Sequence, residues 1–186
     1  MYLKMNLIWG PILVGFNNKA EIFGLWFEGQ KYFPDIDESI RTIYVEDKLS
    51  NGEVQQYVKD TNLNERILDM ITQLREYEKG ERRVFNLKLS PLGTDFRQGI
   101  WRVLQDIEYG ERTTYGNIAK EVAITMNKAT MSPQAVGGAV GHNPISIIIP
   151  CHRVVGSDGT LTGYAGGVDK KEALLKHEAK YSGNVD

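Results

Sequence analysis

The chain has 186 residues, enough for one domain or two small ones, and its 22 basic and 24 acidic side chains give a net charge of −2, which excludes polyanion binding through bulk charge. A composition of 41% hydrophobic and 25% charged residues excludes an intrinsically disordered chain, and no apolar run reaches the roughly 18 to 20 residues of a membrane span. One cysteine and three histidines exclude an internal disulfide and a multi-thiolate zinc site.

The first third of the chain has the pattern of β-strands. The short apolar or aromatic runs predicted as strands are residues 8–9, 12–16, 22–27 and 30–33. Gly10 and Pro11 interrupt the N-terminal apolar stretch, and no small-residue cleavage site follows it. We therefore interpret this stretch as a strand pair of a cytoplasmic protein and not as a signal peptide.

Helical spacing follows between residues 62 and 79, where apolar residues recur every three or four positions up to Gly80. A further strand is predicted around Val84, Leu87 and Leu89. Pro91 and Gly93 then interrupt the pattern. The sequence therefore predicts two domains, residues 1–92 and 93–186.

The second domain is predicted to be mostly helical. Thr94 is placed to cap a first helix, and Thr113 or Thr114 to cap a second. Ser132 and Pro133 begin a third helix that has almost no side-chain bulk and ends at Gly141. The remaining predicted elements are a buried strand at residues 145–149, a glycine-rich loop at 156–167 and a last helix at 169–180.

Cys151 is the sharpest chemical feature of the sequence. It follows an apolar run and is followed at once by His152 and Arg153. The thiolate is the reactive form of cysteine, and a nearby histidine and positive charge raise its fraction. Two other interpretations stay open: the cysteine is simply part of the core, or it forms a metal site with His142 and His152, whose spacing matches no usual zinc pattern.

Two further features call for a partner. Glu178 lies near the C-terminal end of the last helix, where the helix dipole disfavours a carboxylate, so it is either a solvated residue or the partner of an imidazole. The small residues Ala135, Gly137 and Gly138 let another backbone approach the third helix closely. That pattern is typical of tight helix packing or, in a helix-turn-helix, of insertion into a narrow groove.

Seven motifs occur in one order along the chain. They are Thr94-x-Phe96-Arg-Gln98-x-x-Trp101, Tyr109-Gly-Glu-Arg-Thr-Thr-Tyr115-Gly116, Ala135-Val-Gly-Gly138, Gly141-His-Asn-Pro144, Pro150-Cys-His-Arg-Val154, Gly163-Tyr-Ala-Gly-Gly167 and Lys171-Glu172-x-Leu174-Leu175-x-His177-Glu178. Together they resemble the O6-alkylguanine-DNA alkyltransferases, also called methylated-DNA–protein-cysteine methyltransferases. The resemblance implies an α+β fold, with a small N-terminal α/β domain around an antiparallel, ribonuclease H-like sheet and a mostly helical C-terminal domain containing a DNA-binding helix-turn-helix.

The resemblance also implies an activity: irreversible repair of DNA, in which an alkyl group moves from guanine O6, or less efficiently from thymine O4, to Cys151 once per molecule. The damaged nucleotide is rotated out of the stack first. His152 would ionise the thiol through a bound water, and Glu178 would orient the imidazole. Tyr115 would protonate or hydrogen-bond the leaving guanine, and Asn143 would link the helix-turn-helix to the reactive strand.

The implied binding residues fall into two sets. Those for the alkylated base are Val154, Tyr164, Ala165 and Gly166, with the Ala165 amide donating to O6 and the carbonyls of Cys151 and Val154 holding the exocyclic amine. Those for the minor groove of double-stranded DNA are Gln134, Ala135, Gly137, Gly138, Thr114 and Arg153. No cofactor, metal or membrane is implied, and we expect a cytoplasmic monomer.

Gln134 departs from the family pattern, which often has an arginine at this position to fill the space of the flipped base. Glutamine can fill that space without a charge. Two other functions stay open. A damage sensor without transfer activity would lack the acceptor, so the presence of Cys151 argues against it. In a cysteine hydrolase, the adjacent Cys151 and His152 would point in different directions, which is poor geometry for a dyad.

Overall fold

The computed structural model describes residues 1–36, 40, 42–45 and 61–183. A four-stranded sheet with the order β3-β2-β1-β4 forms its N-terminal part. The strands are β1 Tyr2–Leu7, β2 Gly10–Phe16, β3 Ile22–Phe27 and β4 Thr42–Val45. β2 is antiparallel to both β1 and β3, and β4 is parallel to β1. The predicted strands at 12–16 and 22–27 are confirmed, whereas residues 8–9 form the hairpin turn between β1 and β2.

Five α-helices follow within the described residues. They are α1 Thr61–Glu78, α2 Asp95–Gln105, α3 Tyr115–Thr125, α4 Pro133–Gly141 and α5 Val168–Ser182. Each lies within a few residues of a predicted helix. The hydroxyl of Thr94 accepts a hydrogen bond from the Arg97 amide, and that of Thr114 accepts one from the Asn117 amide, so the two predicted caps are present.

The predicted strand at residues 145–149 is wrong. The segment is a buried turn in which Ile145 makes a single bridge to Leu25 of β3. The Asn143 side chain accepts from the Ile145 amide at 3.0 Å and donates to the Ile149 carbonyl at 2.7 Å, so it takes the place of a strand partner. Ile147 has a φ of 70°, which is rare for a β-branched residue and costs about 1–3 kcal/mol.

Two other predicted strands are also corrected. The described chain forms no strand around Val84, and Leu89 makes an isolated bridge to Ile22. The side chain of Gln73 on α1 accepts from the Asn86 amide and donates to the Asn86 carbonyl, so these backbone groups are not available for a sheet. Residues 30–33 form a turn instead of a strand, and within it Tyr32 has a φ of 62°.

A short segment joins the buried turn to the rest of the fold. A 3-10 turn, Cys151–Arg153, leads into β6 Val154–Val155, which pairs in parallel with β5 Thr113–Thr114. Apolar side chains from the sheet and all five helices form one continuous buried cluster that crosses residue 92. The division into domains at that residue stays a prediction. In the described ranges, no helix has the length and hydropathy to cross a membrane.

Candidate active site

Cys151 begins the 3-10 turn and is 4% exposed. Its Sγ accepts a hydrogen bond from Asn143 Nδ2 at 2.9 Å, and the same amide group donates to the Ile149 carbonyl. Asn143 lies two residues after the end of α4, and its backbone amide donates to the Val140 carbonyl in the last turn of that helix. A single buried side chain therefore connects the end of α4, the buried turn and the thiol.

The thiol is protonated at neutral pH. Burial raises the pKa of Cys151 to about 11, while the hydrogen bond from Asn143 and the charge of Lys171 act in the opposite direction. Because the thiolate is the nucleophilic form of cysteine, a thiol held in this way needs a base to remove its proton.

His152 and Glu178 form a fully buried pair, with His152 Nε2 3.0 Å from Glu178 Oε1. Burial lowers the pKa of His152 below its usual value, although Glu178 opposes this, so the imidazole is neutral at neutral pH. A neutral ring that donates its Nε2 proton to the carboxylate keeps a lone pair on Nδ1. Nδ1 has no hydrogen-bond partner among the described residues.

The carboxylate of Glu178 is held by several donors besides His152. Arg153 Nε and Nη2 lie 2.9 and 2.7 Å from its oxygens, the Tyr77 hydroxyl lies 2.7 Å away, and the Gly110 amide lies 3.2 Å away. Burial raises the pKa of this carboxyl, but His152 and Arg153 lower it by more, and it ends well below its usual value. Glu178 is therefore ionised despite its unfavourable place near a helix C-terminus.

Tyr115 and Lys171 meet at one carbonyl. The Tyr115 hydroxyl and the Lys171 amino group both donate to the Thr162 oxygen, at 2.9 and 2.7 Å. Burial raises the pKa of Tyr115 and lowers that of Lys171 to about 8. Sequence reasoning gave Lys171 no role, although its spacing from Leu174, Leu175 and Glu178 on one helix face is a usable signal.

The loop at residues 163–167 packs on the end of β3. The Tyr164 ring is buried 6.5 Å from the ring of Phe27, and a Cβ on Gly166 would lie 2.9 Å from Tyr164 and 3.0 Å from Phe27, so only glycine fits there. The Ala165 carbonyl accepts from the Lys31 amide at 2.9 Å. In the described part of the chain the Ala165 amide donates to no acceptor, which leaves it free for a ligand.

Val154 and Thr114 lie on the two paired short strands. The Val154 amide donates to the Cys151 carbonyl and closes the 3-10 turn. Thr114 pairs with Val155, and its hydroxyl caps α3. Both predicted binding residues therefore also hold the reactive turn in place.

The exposed side of α4 carries Gln134, Ala135 and Gly138, a set we call the α4 face. A Cβ at Gly138 would meet nothing within 4 Å, whereas one at Gly137 would lie 3.7 Å from the Tyr115 ring, so Gly137 faces the protein. Gln134 accepts a hydrogen bond from the Ser132 hydroxyl at 2.8 Å.

Arg153 does not lie on the α4 face. It is 6% exposed, and its guanidinium is bound to Glu178 and to the Ile107 carbonyl. It is therefore not available to a DNA phosphate, in contrast to the expectation from the sequence. Within the described residues, no three His, Cys, Asp or Glu side chains are grouped to hold a metal ion.

Comparisons with known proteins identify the family of the chain. Residues 95–180 match the model of the 6-O-methylguanine DNA methyltransferase, DNA binding domain. The crystal structure of Mycobacterium tuberculosis OGT in complex with DNA superposes with a TM-score of 0.72 and 31% identity, covering 97% of this chain and 92% of that one. The chain belongs to the O6-methylguanine-DNA methyltransferase family.

Curated members of this methyltransferase family match over shorter stretches. A methylated-DNA–protein-cysteine methyltransferase of Methanosarcina barkeri is 54% identical over 106 residues, which are 57% of this chain and 64% of the relative. That of Haemophilus influenzae is 53% identical over 103 residues, 55% of each chain. These matches span less than two thirds of the relatives' length. The predicted family is confirmed. The mixed α/β fold, with a small, mainly antiparallel sheet and five helices among the residues described, is similar to that of the M. tuberculosis structures.

Proposed function

We propose that this protein repairs alkylated DNA by moving an alkyl group from guanine O6, and more slowly from thymine O4, to Sγ of Cys151. The observation that carries the proposal is a buried thiol with a raised pKa, adjacent in the chain to a buried His–Glu pair. The bond between the alkyl carbon and O6 breaks as the carbon–sulfur bond forms. The resulting thioether is stable, so each molecule acts once.

The side chains divide the proton transfers between them. Cys151 gives its proton through a water molecule to Nδ1 of His152, which is the ring nitrogen without a protein partner. Glu178 accepts from Nε2 and stabilises the imidazolium. When the bond between the alkyl carbon and O6 breaks, its electron pair moves onto the purine, and Tyr115 donates its hydroxyl proton to the purine. For that donation, the Tyr115 hydroxyl must break its hydrogen bond to the Thr162 carbonyl and form one to the base.

The base would be held by backbone groups of two loops. The Ala165 amide is free to donate to O6, and the carbonyls of Cys151 and Val154 would accept from the exocyclic amine. Tyr164 and Gly166 shape the same loop, because the glycine permits close packing on β3. Asn143 is the link from α4 to the thiol, as its three contacts support.

DNA would be bound as a duplex through its minor groove. α3 and α4 would act as a helix-turn-helix, with Gln134, Ala135 and Gly138 entering the groove and Gly137 letting α4 approach Tyr115. The target atom lies inside stacked DNA, so the nucleotide must be flipped out. Residues 1–92, with a ribonuclease H-like sheet, would support the alkyl-accepting unit at 93–186. We propose that the protein is a monomer in the cytoplasm, where the reducing environment keeps a free thiol unoxidised.

Peptide mapping by mass spectrometry tests the proposal. After incubation with a duplex containing O6-methylguanine, we expect one methyl group on the peptide containing Cys151 and none with an undamaged duplex. Cys151→Ser should accept none and still bind the damaged duplex. Binding of the duplex by the wild type without methylation would indicate a damage sensor instead, and repeated turnover of an ester would indicate a hydrolase.

A further inference from the structure

Tyr77 connects the N-terminal part of the chain to the buried carboxylate. It lies at the end of α1, is fully buried, and donates its hydroxyl to Glu178 Oε1 at 2.7 Å across 101 residues of sequence. Its backbone carbonyl also accepts from His177 Nε2 at 2.7 Å. Two adjacent residues of α5 are therefore bound by this single tyrosine.

The oxygen that Tyr77 contacts is the one that accepts from His152. Glu178 Oε1 receives the Tyr77 hydroxyl, His152 Nε2 and Arg153 Nη2, and Oε2 receives the Gly110 amide. Arg153 Nε donates to both oxygens, at 2.9 Å to Oε2 and 3.2 Å to Oε1. A donor to a carboxylate oxygen lowers the basicity of that oxygen. Tyr77 is thus placed to weaken the attraction of Glu178 for a proton on His152.

The Tyr77 hydroxyl is a fixed donor. Its ring packs within 6 Å of four other rings, which are those of Trp9, Phe85, Tyr109 and His177. Burial and the charge of Glu178 raise the pKa of Tyr77 well above its usual value, so the hydroxyl stays protonated over the working pH range. The proton therefore always lies on the tyrosine and points to the carboxylate.

We propose that Tyr77 is a positioning residue for alkyl transfer, which fixes the Glu178 carboxylate and keeps His152 neutral and able to accept the thiol proton. This inference rests on the proposed alkyl transfer. The titratable or charged groups that face Glu178 from the elements packed on it are Tyr77 of α1, Tyr109 of the loop after α2, His152 and Arg153 of the 3-10 turn, and Tyr164 of the loop before α5. Lys171 of α5 acts on His152. Of these, Tyr77 is the neutral donor to the oxygen shared with His152.

The test compares two single-atom deletions in the same aromatic cluster. Tyr77→Phe removes the donor and keeps the ring. Tyr109→Phe is the matched control, because its buried hydroxyl has no hydrogen-bond partner among the described residues. Transfer from the free base O6-benzylguanine is measured between about pH 5 and pH 9, where histidine titrates, so that neither DNA binding nor base flipping contributes.

For Tyr77→Phe we expect the acid limb of the pH–rate profile to move to higher pH by about half to one pH unit, which is the effect of one hydrogen bond on a carboxylate. The rate on that limb should fall by about threefold to tenfold, and Tyr109→Phe should match the wild type. An unshifted profile for Tyr77→Phe, or an equal loss of rate at every pH, would overturn the proposal.

A second readout does not depend on transfer. The His152 ring nitrogens are titrated by NMR in the wild type and in Tyr77→Phe, and the pKa of His152 should be higher in the variant. An unchanged His152 pKa would sink the positioning role even in an active protein. The His152 pKa could be higher in Tyr77→Phe while the wild type transfers no benzyl group. That result would refute the proposed function alone and would leave Tyr77 as a donor that lowers the pKa of His152.

Discussion

The surroundings of Glu178 and the α4 face handle charge in opposite ways. Around Glu178, a carboxylate, a guanidinium and an imidazole are removed from solvent and bonded to one another. α4 has no charged residue in its nine positions, and its exposed side offers a glutamine, an alanine and a glycine. The proposed chemistry therefore depends on buried charge, whereas the proposed contact with DNA depends on shape.

The two regions should therefore respond differently to substitution. Removing one partner of a buried ion pair costs about 3–5 kcal/mol, because the other charge is left without compensation. Surface substitutions usually change stability by less than about 0.5 kcal/mol. Substitutions near Glu178 should lower both the stability and the rate of alkyl transfer. Substitutions on the α4 face should change only the binding and repair of duplex DNA.

The largest effect is expected for Glu178→Ala. It leaves Arg153 buried without its carboxylate and His152 without its acceptor, so we expect a loss of about 3–5 kcal/mol in the free energy of unfolding. Transfer should slow by up to about 10²–10⁴-fold, the contribution of a positioned general base, because His152 loses the acceptor that positions it. Urea unfolding and transfer from O6-benzylguanine measure the two effects. Glu172→Ala on the exposed side of α5 is the control, since Glu172 pairs with Lys176 at the surface. Equal behaviour of the two variants would remove the distinction between the regions.

Low pH should reduce the stability of the protein through Glu178. The folded-state pKa of Glu178 lies well below the value of about 4.3 for an unfolded glutamate. A lowered folded pKa contributes stability that is fully present above the unfolded value and is lost as the pH falls towards the folded value. Unfolding free energy measured by urea titration below about pH 5 should fall more steeply for the wild type than for Glu178→Gln. Parallel curves would show that Glu178 is not the group responsible.

A smaller effect is expected at Lys171. Its charge lowers the pKa of the Cys151 thiol, and its own pKa of about 8 keeps it mostly charged at neutral pH. Lys171→Met should raise the thiol pKa further, and a rise of one unit slows iodoacetamide alkylation by about tenfold at neutral pH. Lys176→Met, on the exposed side of α5, serves as the reference. If both variants react at the wild-type rate, the thiol does not sense the Lys171 charge.

The smallest effect is expected on the α4 face. Gln134→Ala should slow repair of a duplex by roughly fivefold, which corresponds to about 1 kcal/mol, and leave transfer from O6-benzylguanine unchanged. Gln134→Arg should strengthen duplex binding through its charge in a narrow groove. Ser132→Ala frees the glutamine side chain and is the matched control for its tether. Equal slowing of Gln134→Ala on both substrates would place Gln134 in the fold or the chemistry.

Local signals were enough to predict the five helices, because capping threonines, Pro133 and the spacing of apolar residues act over a few positions. The isoleucine run at 145–149 was not predictable in the same way. An apolar run of five residues fits a buried strand and a buried turn equally well, and the deciding contact is the Asn143 side chain.

The site could be predicted only in part, because most of its contacts join residues that are far apart in the sequence. The pairing of Glu178 with an imidazole is one of two interpretations that the sequence leaves open, and the resemblance to the family points to it. Arg153 was expected at DNA and is instead inside, and Tyr77 and Lys171 had no predicted role, because their contacts join residues that are 25, 101 and 9 positions apart. Helical spacing can place Lys171 on the buried face of α5, but it does not identify the partner of any of these side chains.

The number of alkyl groups accepted per molecule shows whether the one buried thiol is the acceptor and whether it is used once. The wild type is incubated with excess O6-methylguanine duplex, and the intact protein mass and the repaired guanine are followed to completion. We predict that one methyl group is gained per molecule, that repaired guanine stops at the amount of protein, and that Cys151→Ser gains none. Repair that continues beyond one guanine per molecule would show that the acceptor is regenerated, and a methylated Cys151→Ser would show that the acceptor is another residue.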